Sequence, residues 1–115
     1  MKNNVLGKYG EDIASDYLEK LGYKILERNK RFSRLCEIDI IALDKKTLVF
    51  VEVKTRNTAI CGHPFEAITN SKYSHIKQGL FLYLQDENHN YKNYRIDAIS
   101  VLLKPEIKIE HLKNI

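Results

Sequence analysis

The sequence predicts an α/β fold: a mixed sheet flanked by helices, with the element order α-β-β-β-α-β. Three observations carry this reading. Apolar residues recur every four positions through Val5, Tyr9, Ile13, Tyr17 and Leu21, the period of one helix face. Two alternating segments, 37–43 and 48–56, flank the polar run Asp44-Lys45-Lys46-Thr47, as the strands of a hairpin do. A helical stretch over 65–85 then separates the second of these strands from another at 94–103, which suggests one right-handed parallel crossover.

In the first helix Leu6, Ala14 and Leu18 broaden the apolar stripe, Asn3 or Asn4 can cap the start, and Gly22 stands where a left-handed stop residue belongs. Gly7 and Gly10 are poor helix formers, so a close approach to the backbone or an irregular first turn is expected there. Residues 23–29 read as a strand, followed by a basic connection through Lys30, Arg31 and Arg34. Gly62 and Pro64 break 57–64 into a loop. The helical stretch after it is expected to be interrupted near Asn70, with Ser71 capping a second segment whose apolar face is Tyr73, Ile76, Leu80, Phe81 and Leu84. A polar run over 86–93 leads into the strand at 94–103. After Pro105, Ile107 and Ile109 alternate as a short added strand, and 111–115 reads as a tail.

At 115 residues, 43% hydrophobic and 30% charged, the chain has globular composition and the size of a single domain, 1–115. Neither Leu48-Val49-Phe50-Val51 nor Leu80-Phe81-Leu82-Tyr83-Leu84 approaches the length of a membrane span. The start, Met1-Lys2-Asn3-Asn4-Val5, leads into no apolar signal core, so a cytoplasmic protein is expected, with no membrane partner. Cys36 and Cys61 fit a reducing compartment. With His63, His75, His89 and His111 scattered, they lack the spacing of a zinc site. A net charge of +4 and a pI near 9.0 are compatible with a polyanionic partner but do not specify one.

The chemistry turns on hairpin register. An even-length loop pairs residues whose numbers sum to 91: Leu43 with Leu48, Ile41 with Phe50, Asp39 with Glu52, and Glu37 with Lys54. Alternation puts these eight on one side of the sheet and leaves Ile38, Ile40, Ala42, Val49, Val51 and Val53 as an apolar face on the other. Like charges directly opposed destabilise a sheet, so Asp39 and Glu52 call for neutralisation. A hard divalent cation supplies it, and magnesium uses one or two carboxylates with water and substrate phosphate. Lys54 can reach the same point. Such a set can activate water and stabilise charge on a phosphodiester. The competing reading is a surface lattice in which Lys54 pairs with Glu37 or Asp39.

Glu37-Ile38-Asp39-Ile40-Ile41-Ala42 and Val49-Phe50-Val51-Glu52-Val53-Lys54-Thr55-Arg56 together resemble the PD-(D/E)XK, or restriction-endonuclease-like, nuclease superfamily. Gly10-Glu11-Asp12-Ile13-Ala14 and Arg95-Ile96-Asp97 narrow the resemblance to its YraN-like family. The resemblance implies an αβββαβ core related to Holliday-junction resolvases. It also implies that Asp39 and Glu52 bind Mg2+ or Mn2+ with Glu11 contributing, and that Lys54 assists catalysis. Cys36 stands where that family usually has glycine; the small cysteine is expected to be tolerated.

Other residues carry two readings each. Glu11 alone could be an early-helix acid interacting with the helix dipole. Lys72 resembles the family lysine at the opening of the second helix, where it could contact phosphate, or it is a solvated lysine; His75 and Lys77 are its neighbours. Arg31, Arg34 and Arg56, with Arg28 and Lys30, form either a phosphate-binding margin or a soluble basic face. Tyr73 and Tyr83 read as core or surface aromatics, and Asp97 as a residue orienting the last strand. The leading function is a metal-dependent nuclease acting on structured or branched DNA. A nucleic-acid-binding module without cleavage and a structural or partner-binding protein compete with it. Junction resolution would require two sites, hence a homodimer.

Overall fold

The computed structural model describes residues 2–58, 65 and 68–115, with side chains from Val5 onward. Cys61, His63 and most of the expected 57–64 loop lie outside the described residues. The elements are α1 (Lys2–Lys20), β1 (Lys24–Phe32), β2 (Cys36–Asp44), β3 (Thr47–Arg56), α2 (Asn70–Gln85), β4 (Asn93–Leu102) and β5 (Lys108–Leu112). They form the expected α-β-β-β-α-β order with a fifth strand added. The strands make one mixed sheet in the order β1-β2-β3-β4-β5. Only β3 and β4 pair in parallel, in register from Thr47↔Asn93 to Arg56↔Leu102, and α2 lies in the connection between them.

Each face of the sheet has its own core. Ala14 and Leu18 of α1 pack on Ile40, Ala42, Val49, Val51, Val53, Ile99 and Val101. Ile76, Leu80 and Tyr83 of α2 pack on Phe32, Ile38, Ile41, Leu48, Phe50 and Ile96. Alternation along β3 therefore sends odd residues toward α1 and even ones toward α2. No helix among the described residues is long and apolar enough to cross a membrane.

Helix α1 stops as its sequence implies. Gly22 has φ +96°, and the Gly22 and Tyr23 amides donate to Glu19 and Leu18 carbonyls, a paired closure that satisfies the last turn. Its start differs from expectation, since Asn3 and Asn4 lie inside the helix rather than capping it. The apolar stripe begins only at Val5 and carries no mark of the turn ahead of it. Gly10 is the close approach anticipated: a β-carbon there would overlap Thr55 Oγ1 and stand 2.7 Å from Thr55 Cβ and Cγ2. By contrast, nothing lies within 4 Å of that position at Gly7. Gly10→Ala should therefore push α1 off β3 and cost about 1–3 kcal/mol by overpacking. Chemical denaturation should show the loss, with partial recovery in Gly10→Ala/Thr55→Ala.

Three boundaries are corrected. Strand β1 runs three residues past Asn29, because Lys30 and Arg31 continue the ladder and Phe32 returns the chain to the α2-side core. Helix α2 is capped by Thr69 rather than Ser71: the Thr69 side chain accepts the Lys72 amide at 3.1 Å. The segment expected as a tail includes His111 within β5, and the Nε2 of that histidine donates to Asp97 Oδ2 at 2.7 Å. Asp97 is fully buried in β4 beneath α1, where a structural role was expected.

Candidate functional site

Strands β2 and β3 pair as the arithmetic predicts from Asp44↔Thr47 to Ile40↔Val51, every pair summing to 91. The ladder ends there. The expected next pairs, Asp39 with Glu52 and Glu37 with Lys54, do not form. Asp39 Oδ2 instead accepts the Val53 amide at 2.7 Å, and Glu37 pairs with Arg31 of β1. Two opposed carboxylates repel, and a carboxylate competes well for a backbone N–H, so the strands part into a fork with Asp39 in the gap. Asn29, beside this point in β1, has φ +54°. Across the same point Ile40 belongs to the α1-side core and Ile38 to the α2-side core. The expected unbroken face of β2 is thus corrected at Ile38, which lies beyond the end of the β2–β3 ladder and packs in the α2-side core.

The fork lies open to both helices. From β3, Glu52 follows Leu48 and Phe50 onto the α2 side and is 5% exposed. Its Oε1 is 2.6 Å from Lys72 Nζ in the first turn of α2, while its buried Oε2 has no hydrogen-bond partner. From α1, the contact of Gly10 on Thr55 brings the next residue, Glu11, beside Asp39. Arg28 steadies that end of α1, 2.8 Å from Asp12 and 3.7 Å from Glu11.

The electrostatics follow from crowding acids in a dry place. Burial, then the Glu52 charge and, more weakly, Glu11, push the Asp39 carboxyl up to about 8, against the Val53 amide and Lys72. Burial likewise raises Glu11, opposed by Arg28 and by side-chain contacts with Asn29 and Asp39. Lys54 is lowered by burial and by the neighbouring Lys72. Burial works against charge on Lys72 too, but the bond to Glu52 outweighs it and raises that lysine. Burial and the Glu52 charge thus disfavour a charge on Asp39, while Lys72 balances Glu52.

Among the described residues no group of three or more His, Cys, Asp and Glu side chains is arranged to hold a metal ion. The oxygen donors at the fork are a pair, Asp39 and Glu52, and Glu11 stands behind Asp39. That set suits magnesium or manganese, which keep open positions for water and phosphate, and the orphaned Glu52 Oε2 is an oxygen donor in want of a partner.

The basic residues divide. Lys72, read as a phosphate contact, is part of the carboxylate cluster. Arg31 is exposed and 3.6 Å from Glu37, and Arg34 is exposed in the turn from β1 to β2. Both lie toward the same end of β2 as Asp39. Arg56 is half-buried at the end of β3, its carbonyl accepting the Leu103 amide. His75 and Lys77 are exposed on α2. Tyr83 is buried, ringed by Phe32, Phe50 and His89, as a core aromatic. Cys36 is accommodated by Gly79: a β-carbon at Gly79 would stand 3.0 Å from Cys36 Sγ, which donates to the His75 carbonyl at 3.4 Å. Burial and the Glu52 charge raise this thiol, which keeps it protonated. The Lys72–Glu52 contact and the Asp39–Val53 amide bond are the parts the sequence reading missed.

A model of the uncharacterised protein family UPF0102 matches residues 10–101, a span that contains Glu11, Asp39, Glu52, Lys54, Lys72 and Asp97. A UPF0102 protein of Geobacter sulfurreducens is 46% identical over 114 residues, covering 97% of this chain and 88% of its own length. One of Chlorobium phaeobacteroides is 42% identical over 116 residues, with 95% and 91% covered. One of Clostridium botulinum is 49% identical over 102 residues, with 88% and 82% covered. The chain belongs to the UPF0102 family.

Proposed function

We propose that this protein is a metal-dependent nuclease of the PD-(D/E)XK type that hydrolyses phosphodiester bonds in DNA. The observation that carries the reading is the buried, unpartnered Oε2 of Glu52 beside the Asp39 carboxyl, with Lys54 and Lys72 at the same point. Asp39 and Glu52, with Glu11 behind them, would hold Mg2+ or Mn2+. When bound, the ion would supply Lewis acidity toward a phosphate oxygen and lower the pKa of water.

The chain's own residues account for the rest. Burial of Glu52 fixes its carboxylate in one place, and the Val53 amide does the same for Asp39, so the donors need little reorganisation on binding. Lys54 brings positive charge to a phosphate held at the fork. Lys72 neutralises Glu52 in the empty site and is free to turn to a substrate phosphate once the carboxylate has another partner. Arg31 and Arg34, at the same end of β2, would hold the strand by its backbone.

Titration calorimetry with magnesium or manganese tests the placement. Because Asp39 must lose its proton to bind, affinity should rise as pH rises through about 8, with proton release below that value. Asp39→Asn and Glu52→Gln should each weaken binding at least tenfold. In the presence of a chelator Asp39→Asn should instead stabilise the fold, increasingly so at higher pH. The sign follows from the raised carboxyl: native Asp39 costs stability as pH climbs from its unfolded value through about 8, and Asn does not ionise. Equal metal binding by wild type and Asp39→Asn/Glu52→Gln would remove the metal centre from this site.

A further inference from the structure

A pocket of about 420 Å³ lies beside the carboxylate cluster, and the reading above leaves it without a role. Its position is set by the sheet. Glu52 pairs with Ala98 across β3 and β4, and Ala98 pairs with Leu112 across β4 and β5. Paired residues share a face, so Glu52, Ala98 and Leu112 form one transverse row on the α2 side. At the usual strand spacing, Leu112 stands roughly 10 Å from Glu52, with the small Ala98 between them at the pocket's base. The other wall comes from the first turn of α2: Asn70 and Tyr73 line the pocket, and Lys72 between them in sequence pairs with Glu52. One helical turn and one row of the sheet thus serve both the pocket and the carboxylates.

The lining is largely apolar and aromatic, with Phe65, Tyr73, Leu112 and Ile115 among its residues, and Asn70 offers one amide. None of its described lining residues is charged. The Leu112–Ile115 wall is held from behind, because the Ile115 amide donates to the Ile96 carbonyl at 2.8 Å and the Asn114 amide to Asp97 at 3.0 Å. A flat heteroaromatic ring with hydrogen-bonding edges suits such a lining, and a bare phosphate does not. A nucleotide whose phosphate meets Glu52 and Lys72 carries that ring a few ångströms away. A base paired and stacked in a duplex cannot turn its ring onto this lining; an unpaired or extruded one can.

We propose that this pocket receives the unpaired nucleobase next to the scissile phosphate, so that the preferred substrate is DNA unpaired at the point of cleavage. This rests on the nuclease reading and adds the substrate class to it. Recognition is by ring shape and stacking, with Asn70 contacting the base edge.

The test uses the full chain and three labelled hairpin DNAs: a perfect duplex, the same duplex with one bulged thymine, and the same with an abasic bulge. Affinity is read by anisotropy in magnesium, and cutting is read on gels. Wild type should bind the thymine bulge about tenfold more tightly than the other two, the scale of one base stacked on an aromatic side chain. Tyr73→Ala should abolish that preference while leaving abasic-bulge affinity unchanged. Leu112→Ala, at an exposed edge-strand position, is the second variant and should do the same, thermal melts confirming that both are folded. Equal affinity of wild type for the thymine and abasic bulges overturns the pocket's assignment. So does a preference that survives in both variants. Glu52-dependent cutting without base preference overturns the pocket alone. Base preference without any Glu52-dependent cutting overturns the catalytic reading, and with it the place of the base beside a scissile bond.

Discussion

Asp97→Ala is expected to lower the unfolding free energy by about 3–5 kcal/mol, the usual cost of removing one partner from a buried charged network. The carboxylate is fully buried and its oxygens are shared among four donors. Oδ1 accepts Arg95 Nε at 2.9 Å and the Asn114 amide at 3.0 Å. Oδ2 accepts His111 Nε2 at 2.7 Å and Arg95 Nη2 at 3.3 Å. Because a carboxylate only accepts, Nε2 of His111 carries the proton in that bond. Arg95 in turn reaches Tyr23 at 2.7 Å and Asp44 at 3.0 Å, and Tyr17 meets His111 Nδ1 at 3.1 Å. Truncation would leave the Arg95 charge half-buried with Asp44 as its remaining carboxylate and would free the segment after β5. Burial by itself would raise the Asp97 carboxyl, but His111, Arg95 and the Asn114 amide outweigh it and hold it below the ordinary value. A depressed carboxyl contributes stability above its unfolded pKa and loses it as pH falls through the folded one. The denaturation midpoint gap between wild type and Asp97→Ala should therefore be full at pH 7 and narrow in acid below about pH 4. A gap that stays constant down to pH 2 would count against the ionised network as its source.

The same cluster marks where sequence reasoning stops. The hairpin register was legible because the even-length turn at Asp44–Thr47 and the alternation of Ile40 to Leu43 against Leu48 to Val51 admit one pairing that buries both faces. That reasoning extends a ladder but cannot end one. The fork at Asp39 depends on a side chain outcompeting backbone for the Val53 amide, and on Asn29 of a third strand adopting a left-handed conformation. Neither changes the hydrophobic pattern. Lys72 is twenty positions from Glu52, and only the docking of α2 on the sheet brings them together. His111 was hidden by its strand: β5 is an edge in which Lys108 and Glu110 sit beside Ile109, and its alternation is too short to separate strand from tail. Asp39, Glu52 and Lys54 were readable as neighbours, whereas the manner of their meeting was a tertiary property.

The separation of an enzyme from a binding module should come from Lys54→Ala. The side chain is half-buried two residues beyond Glu52, lowered by burial and by Lys72, yet drawn toward charge by Glu52 and Asp39. Its amino group stands at the point where negative charge would grow on an attacked phosphate. Interactions that strengthen only as that charge develops act on rate rather than on affinity. Removing one such stabilising group typically costs about 10²–10³ in turnover, so single-turnover cleavage should fall by that factor while DNA affinity changes by less than a few-fold. Arg31→Ala should behave in the opposite way. Arg31 is exposed, its ion pair with Glu37 is a long surface contact, and it lies toward the end of β2 from which a strand would enter the fork. Its loss should weaken binding of all DNA sequences alike, reduce the dependence of log affinity on log salt by about one unit, and leave cleavage of the bound complex unchanged. Purified protein, one DNA carrying an unpaired segment, and manganese suffice for both measurements. If wild type binds that DNA and cuts it no faster than Lys54→Ala, the chain is a binding module that kept the fork without its chemistry. If neither protein binds DNA, the carboxylates serve the fold or a protein partner, and the nuclease reading falls with them.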